Sequence, residues 1–174
     1  MKGWEIDFRG LYAWWGWSRR AKFHLTEEVF EAPDGNACVA FYHIGEISLA
    51  GSVGRLAVFK NKRDPQRIFK GGSAVYWYWG EESVRWSKDS GRAFLSRCEE
   101  TGGWPSRKPR RLDTDLTVLD LQRERWAGWN HRLDDLQALQ DLDNDVITVN
   151  GGSQTTGQWP KQIHLSRLDW KRFQ

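Results

Sequence analysis

Ala74-Val75-Tyr76-Trp77-Tyr78-Trp79 is the stretch on which the reading of the fold turns. Its aromatic content suits a strand. A strand sends successive side chains to opposite faces, so Val75, Trp77 and Trp79 stand on one side and Ala74, Tyr76 and Tyr78 on the other. Neither side reads as solvated. The same holds for Arg55-Leu56-Ala57-Val58-Phe59-Lys60, where Leu56 and Val58 oppose Ala57 and Phe59. Strands apolar on both faces belong in the middle of a sheet covered on two sides, or face a partner.

Outward from these two segments, short runs rich in aromatic and β-branched residues recur, separated by Gly, Asp, Asn and Pro. The pattern predicts strands over 22–26, 37–43, 55–60, 74–79, 83–86, 92–98, 116–121 and 146–149. Between them stand turn signals with a mechanism: Pro33-Asp34-Gly35-Asn36, Asn61-Lys62-Arg63-Asp64-Pro65, Lys88-Asp89-Ser90-Gly91 and Asn150-Gly151-Gly152. In each, Gly or Asn tolerates a positive φ, or Asp bonds its own backbone. Several should be hairpins.

The composition agrees with a folded domain. Of 174 residues, 39% are apolar and 28% charged, a balance that excludes a disordered chain. The length predicts one domain over 1–174. Twelve tryptophans are the outlying number and argue against a coiled coil, since indole is a poorer helix former than Leu or Ala. A net charge of +3 is too mild to name a polyanionic partner. The first residues, Met1-Lys2-Gly3-Trp4-Glu5-Ile6-Asp7, interleave charges with apolar groups and hold no apolar core of a secretion signal. No window approaches the uninterrupted apolar length of a membrane span. Cys38 and Cys98 form no Cys-x-x-Cys pair, so both are expected as reduced, buried thiols of a cytoplasmic protein.

Two segments break the β rhythm. After Asn130, a suitable N-cap, Leu133, Leu136, Leu139 and Leu142 recur every three residues, with Asp134, Asp135, Gln137, Gln140 and Asp141 on the other side. This spacing predicts one short amphipathic helix over about 130–143. Residues 99–114 carry Gly102-Gly103, Pro105, Pro109 and a basic run without periodicity, and are expected as an exposed loop.

From Ser83 to Trp129 the order of residues resembles one blade of a WD40-type β-propeller. Val84-Arg85-Trp86-Ser87-Lys88-Asp89-Ser90-Gly91-Arg92-Ala93-Phe94-Leu95 is similar to the inner hairpin. Leu116-Thr117-Val118-Leu119-Asp120-Leu121 is similar to the strand that ends in Trp-Asp. Leu119-Asp120 stands in place of that dipeptide, and no Gly-His pair precedes the hairpin. A fainter echo runs through Arg55 to Lys60, a polar turn, and Arg67-Ile68-Phe69-Lys70. The signature does not recur in the four copies needed for closure. The resemblance therefore implies blade-like hairpins, and the expected fold is mainly β, an antiparallel sheet or sandwich of such hairpins with the one helix.

No catalytic or metal motif emerges. Gly152-Ser153-Gln154-Thr155-Thr156-Gly157 has the glycine spacing of a phosphate-binding loop, but Gln158-Trp159 replaces the Lys and Ser/Thr that reach phosphate and Mg²⁺. Asp141, Asp143 and Asp145 alternate as in a calcium loop, yet Val146 occupies the place of the turn glycine. His24, His43, His131 and His164 are isolated from one another. Acidic doublets such as Glu27-Glu28 and Glu81-Glu82 are poor acid/base pairs, because neighbours diverge. The sequence asks for no cofactor and no metal.

Surfaces remain. Trp14, Trp15 and Trp17 lie beside Arg19 and Arg20, too crowded for one edge strand to bury, and indole with Arg is the combination enriched at the centre of interfaces. Arg107, Lys108, Arg110 and Arg111 form a second candidate patch, attractive to phosphate. Trp77, Trp79, Trp86, Trp126, Trp4 and Trp170 read as core, whereas Trp104 and Trp159 precede prolines in loop-like sequence. The expected function is a non-catalytic protein-binding module, in concrete form a small cytoplasmic immunity-type inhibitor that masks a toxin. The alternative is a nucleic-acid or carbohydrate binder using the Trp/Arg surface. An enzyme with a dispersed site comes third.

Overall fold

A computed structural model of the chain describes residues 3–8, 11, 26–46, 51–71, 74–101, 111–132, 139–140, 142, 145–149 and 161–174. The strands are β1 (Thr26–Glu31), β2 (Ala37–Glu46), β3 (Ser52–Lys60), β4 (Gln66–Lys70), β5 (Val75–Tyr78), β6 (Arg85–Trp86) and β7 (Arg92–Thr101). They continue with β8 (Arg111–Asp120), β9 (Arg125–Arg132), β10 (Leu139–Gln140), β11 (Val146–Val149), β12 (Lys161–His164) and β13 (Lys171–Arg172). The architecture is mainly β and antiparallel. A ten-stranded sheet runs β1-β2-β3-β5-β7-β8-β9-β13, with β4 on β3 and β6 on β7, and a second sheet runs β10-β11-β12. Among the described residues no helix is long and apolar enough to cross a membrane.

The turns follow their local chemistry. Between β1 and β2, Gly35 takes a φ of 71° and Asp34 Oδ1 accepts the Asn36 N–H at 3.0 Å. Between β3 and β4, Asn61 takes φ 62°. At the β6–β7 turn, Asp89 Oδ1 accepts the Gly91 N–H and the Ser87 hydroxyl. These contacts hold the Asp89 carboxyl below its ordinary pKa, the Ser87 bond contributing most.

Both faces of the central strands are covered. Val39, Phe41, Leu56 and Val58 share one core cluster with Ala93, Leu95 and Leu119, so the continuous sheet folds over and packs β2–β3 against β7–β8. The opposite face of β2–β3, Cys38, Ala40, Tyr42, Ala57 and Phe59, is covered by Trp4, Ile6, Phe8 and Leu11. The opposite face of β7–β8, Phe94, Leu116 and Val118, is covered by Leu139, Ile147, Val149 and Ile163 of the small sheet. Arg85 Nη1 donates to the Leu139 carbonyl, and Arg92 pairs with Asp145, each at 2.8 Å, tying that sheet to β6 and β7.

Two expectations change. The helix over about 130–143 gives way at both described ends: Asn130–Arg132 close β9, and Leu139–Gln140 is β10. The reason is pairing. Arg132 meets Asp115 across the β8–β9 ladder, and Leu139 meets Val149 while its side chain is sealed in the core between the sheets. Residues 133–138 lie outside the described ones. The ends of the segment expected as a loop over 99–114 are strand, because Glu99, Glu100 and Thr101 pair with Asp113, Leu112 and Arg111; residues 102–110 lie outside the described residues. Of the strand expected over 22–26 only Thr26 is described, where β1 begins; residues 22–25 lie outside the described residues. The blade-like segment forms the antiparallel run β6-β7-β8-β9, but continuous with the larger sheet rather than as a separate blade.

Candidate functional site

Trp14, Trp15, Trp17, Arg19, Arg20, Arg107, Lys108 and Arg110 all lie outside the described residues. Of the predicted binding residues only Arg111 is placed, as the first residue of β8, paired with Thr101. The structure draws attention elsewhere.

Trp79 was expected in the core and is 46% exposed, the one large apolar side chain so exposed among the described residues. Trp77, two residues earlier on the same face, is buried with Val53 and Cys98. The difference arises at the neighbouring strand. Val53 lies opposite Trp77 and Ser52 opposite Tyr78; the residue just before β3 is Gly51, which has no side chain to cover Trp79. Gly51 holds φ 121°, and a Cβ there would meet Trp77 Cζ3 at 3.5 Å and Trp79 Cζ3 at 3.6 Å. The two indoles stack with centroids 5.3 Å apart and planes inclined by 21°. The Trp79 N–H donates to Ser83 Oγ at 2.8 Å, and the Ser83 hydroxyl donates to the Gly80 carbonyl at 2.6 Å. Ser83 is fully buried and Gly80 takes φ 64°. An exposed indole held by ring stacking, a backbone hydrogen bond and a closed turn loses little side-chain freedom on binding, which is what an interface anchor requires. The turn also carries Glu81 and Glu82, both exposed.

A second group of polar side chains marks the outer face of β1–β3. His43 is the extra residue of a bulge seen by both neighbours: Thr26 and Glu28 pair with Ile44 and Phe41, and Tyr42 and Gly45 pair with Arg55 and Val53. Its φ is 53°, unusual for a residue with a Cβ. Its ring lies 5.6 Å from that of Tyr42. Burial, then the charge of Arg55, holds the His43 pKa below its ordinary value, with Glu27 opposing. Burial raises Tyr42 and lowers Arg55. This is a packed polar island beside the apolar cover supplied by residues 4–11, and the bulge has a structural reason: it lets Phe41 and Ile44, three apart, both face the inner core.

Elsewhere the indoles are engaged within the fold. Trp126 and Trp86 pack on the inner core, Trp4 on the outer face of β2–β3, and Trp170 donates its Nε1–H to the Leu165 carbonyl at 2.8 Å. Trp104 and Trp159 lie outside the described residues. Among the described residues no group of three or more His, Cys, Asp or Glu is arranged to hold a metal. Sequence reasoning missed Trp79 because strand alternation cannot tell which residue of a face lacks a cross-strand cover; the Gly80-Glu81-Glu82 that follows it was the available signal. Comparison with protein-family models, curated proteins and solved structures finds no match to this chain.

Proposed function

We propose that the protein is a non-catalytic protein-binding module that docks its partner on Trp79 and the turn through Ser83. The observation that carries this reading is the exposed indole stacked on Trp77 and fixed by Ser83. Rigid aromatic anchors dominate interface energetics, because they bury a large area at small cost in rotamer entropy. In its concrete form the module is a small inhibitor that masks a toxin in the cytoplasm; Cys38 and Cys98, both buried and in no disulfide, suit a reducing compartment.

The test is recovery of a stoichiometric partner from the native source by the full chain, followed by titration calorimetry on the purified pair. Trp79→Ala is expected to weaken binding by about 30-fold or more, the loss of about 2 kcal/mol that defines an anchor residue. Affinity unchanged in Trp79→Ala but lost in Trp15→Ala or Trp17→Ala would move the site to residues 12–20. Tight, salt-sensitive binding of single-stranded nucleic acid in the absence of a protein partner would replace the reading altogether.

A further inference from the structure

We infer that Trp4 to Phe8 form a detachable strap, a segment that lifts from the outer face of β2–β3 while the sheets stay folded and so uncovers a second apolar surface. Gly3, Glu5 and Asp7 are exposed, and Trp4, Ile6 and Phe8 between them are half-buried. This is the period of two of an extended chain. The segment nevertheless belongs to neither sheet. It rests on a sheet face, against Cys38, Ala40, Tyr42, Ala57 and Phe59, none of them more than 5% exposed. At its end the Leu11 N–H donates to the Phe8 carbonyl at 2.8 Å, a turn closed within this part of the chain rather than a bond to the sheet. On β3, Ala57 and Phe59 share their face with Val53, which lies opposite Trp77, so release frees apolar area on the same side of the sheet as Trp79.

The two layers are held in different ways. β2 and β3 share a ladder from Ala37 and Lys60 to Glu46 and Ser52, so parting them breaks many backbone hydrogen bonds together. Trp4, Ile6 and Phe8 hold by side-chain packing, and Trp4 adds a clasp. Its Nε1–H donates to Glu31 Oε2 at 3.1 Å, and Lys62 Nζ grips the same oxygen at 2.7 Å. The clasp is exposed, and exposed hydrogen bonds and ion pairs add little in competition with water. A half-buried segment outside any ladder opens at a lower free energy than the core it covers. Cys38 reports that opening. It lies opposite Glu31 in the β1–β2 ladder, the residue that the Trp4 indole grips, and is fully buried. Burial first, then the Glu31 charge, push its thiol up to about 12, so the covered sulfur stays protonated and unreactive. Cys98, 4% exposed, lies in a separate apolar cluster with Val53 and Trp77 and serves as the reference thiol.

The experiment is alkylation of the full chain with iodoacetamide at mildly alkaline pH, in urea concentrations below the unfolding transition, with the two thiols resolved by peptide mass spectrometry. Without urea, Cys38 should label at least about tenfold faster than Cys98. Its rate should rise only shallowly with urea, because lifting the strap exposes little surface, whereas labelling through unfolding of the whole molecule follows the full equilibrium slope. Trp4→Ala should speed Cys38 labelling by at least about fivefold through the apolar contact it removes, and the shallow slope should remain. Equal rates with one common steep slope, faster labelling of Cys98, or a Cys38 rate indifferent to Trp4→Ala overturns the strap. If Trp4→Ala does not fold, the rates and slopes of the two thiols in the unaltered chain decide alone.

Discussion

At the scale of single residues, the tyrosines record how the inner core is closed. The Tyr78 hydroxyl donates to the Glu28 carboxylate, and its ring lies 6.0 Å from Phe41 at the rim of the core. This hydrogen bond first, then burial and the Glu28 charge, push the Tyr78 pKa from 10.0 up to about 12. Between these values the unfolded chain has released a proton that the folded chain still holds. Stability gained from the pair is therefore complete below the ordinary value and declines as pH rises through the window. In Glu28→Gln, ultraviolet titration of the native protein should show one tyrosine returning toward its ordinary ionisation; superimposable curves would refute the coupling. Tyr76, pushed to about 12 chiefly by burial, serves as the internal control, since its cause is untouched. Gly54 shows what the sequence left hidden at this scale. A Cβ there would lie 3.0 Å from Phe41 Cδ1 and 3.2 Å from Ile44 Cγ1, so glycine is needed opposite the His43 bulge. Neither the bulge nor that close approach has a local signature, because both depend on the strands pairing across it.

Elements were legible where their causes are local. The β1–β2, β3–β4 and β6–β7 turns fold as their Gly, Asn and Asp residues dictate, and Val146–Val149 is a strand at the bounds its β-branched run suggests. The β8–β9 turn is different. It is held by Asp120, buried at the end of β8, which accepts the Arg123 N–H at 3.1 Å and Arg125 Nε at 3.0 Å, while Glu124 takes φ 50°. The Leu119-Asp120 pair that departs from the blade signature thus has its own task. The C-terminal β13 was not legible at all, being two exposed residues, Lys171 and Arg172, on β9. What fixes it is tertiary: Phe173 packs 4.7 Å from Phe69, which lies 6.4 Å from Trp126, and the Phe173 N–H donates to the Glu124 carbonyl at 2.8 Å. Phe173→Ala should lower stability by about 1–3 kcal/mol, below the range for a fully buried Phe because the ring is only half-buried. Urea unfolding with a lower midpoint at constant slope would show it. An unshifted midpoint would mean that the C-terminus does not seal this end of the core.

At the scale of the whole molecule, β7 and β8 separate two cores. Ala93, Leu95 and Leu119 face the core shared with β2 and β3; Phe94, Leu116 and Val118 face the small sheet. Leu139 is fully buried on that second side and should cost about 2–5 kcal/mol when cut to alanine. Because β7–β9 form the layer between the two cores, with Trp126 on the first and Trp129 on the second, amide exchange in Leu139→Ala should quicken across Val146–Val149 and Ile163 while β2 and β3 stay protected. Uniform loss of protection in both regions would show instead a single cooperative unit. The expected helix failed at this scale. The three-residue leucine spacing is compatible with a helix face, but Leu139 takes its place by pairing with Val149, a partner the spacing does not reveal.

The sequence by itself determined that this chain is an antiparallel β protein whose central strands are covered on both faces. Leu56 and Val58 do face one core and Ala57 and Phe59 the other cover, as their alternation requires. Such features follow from the period of two along a strand and from the backbone freedom of Gly, Asn and Asp, which act over a few residues. Tertiary structure decided which indole is exposed. Trp77 and Trp79 share a strand and a face, and they differ because Val53 lies across from the first while Gly51 stands beside the second with no side chain. Cover is a property of residues distant in sequence, so the anchor appears only when β3 is laid beside β5.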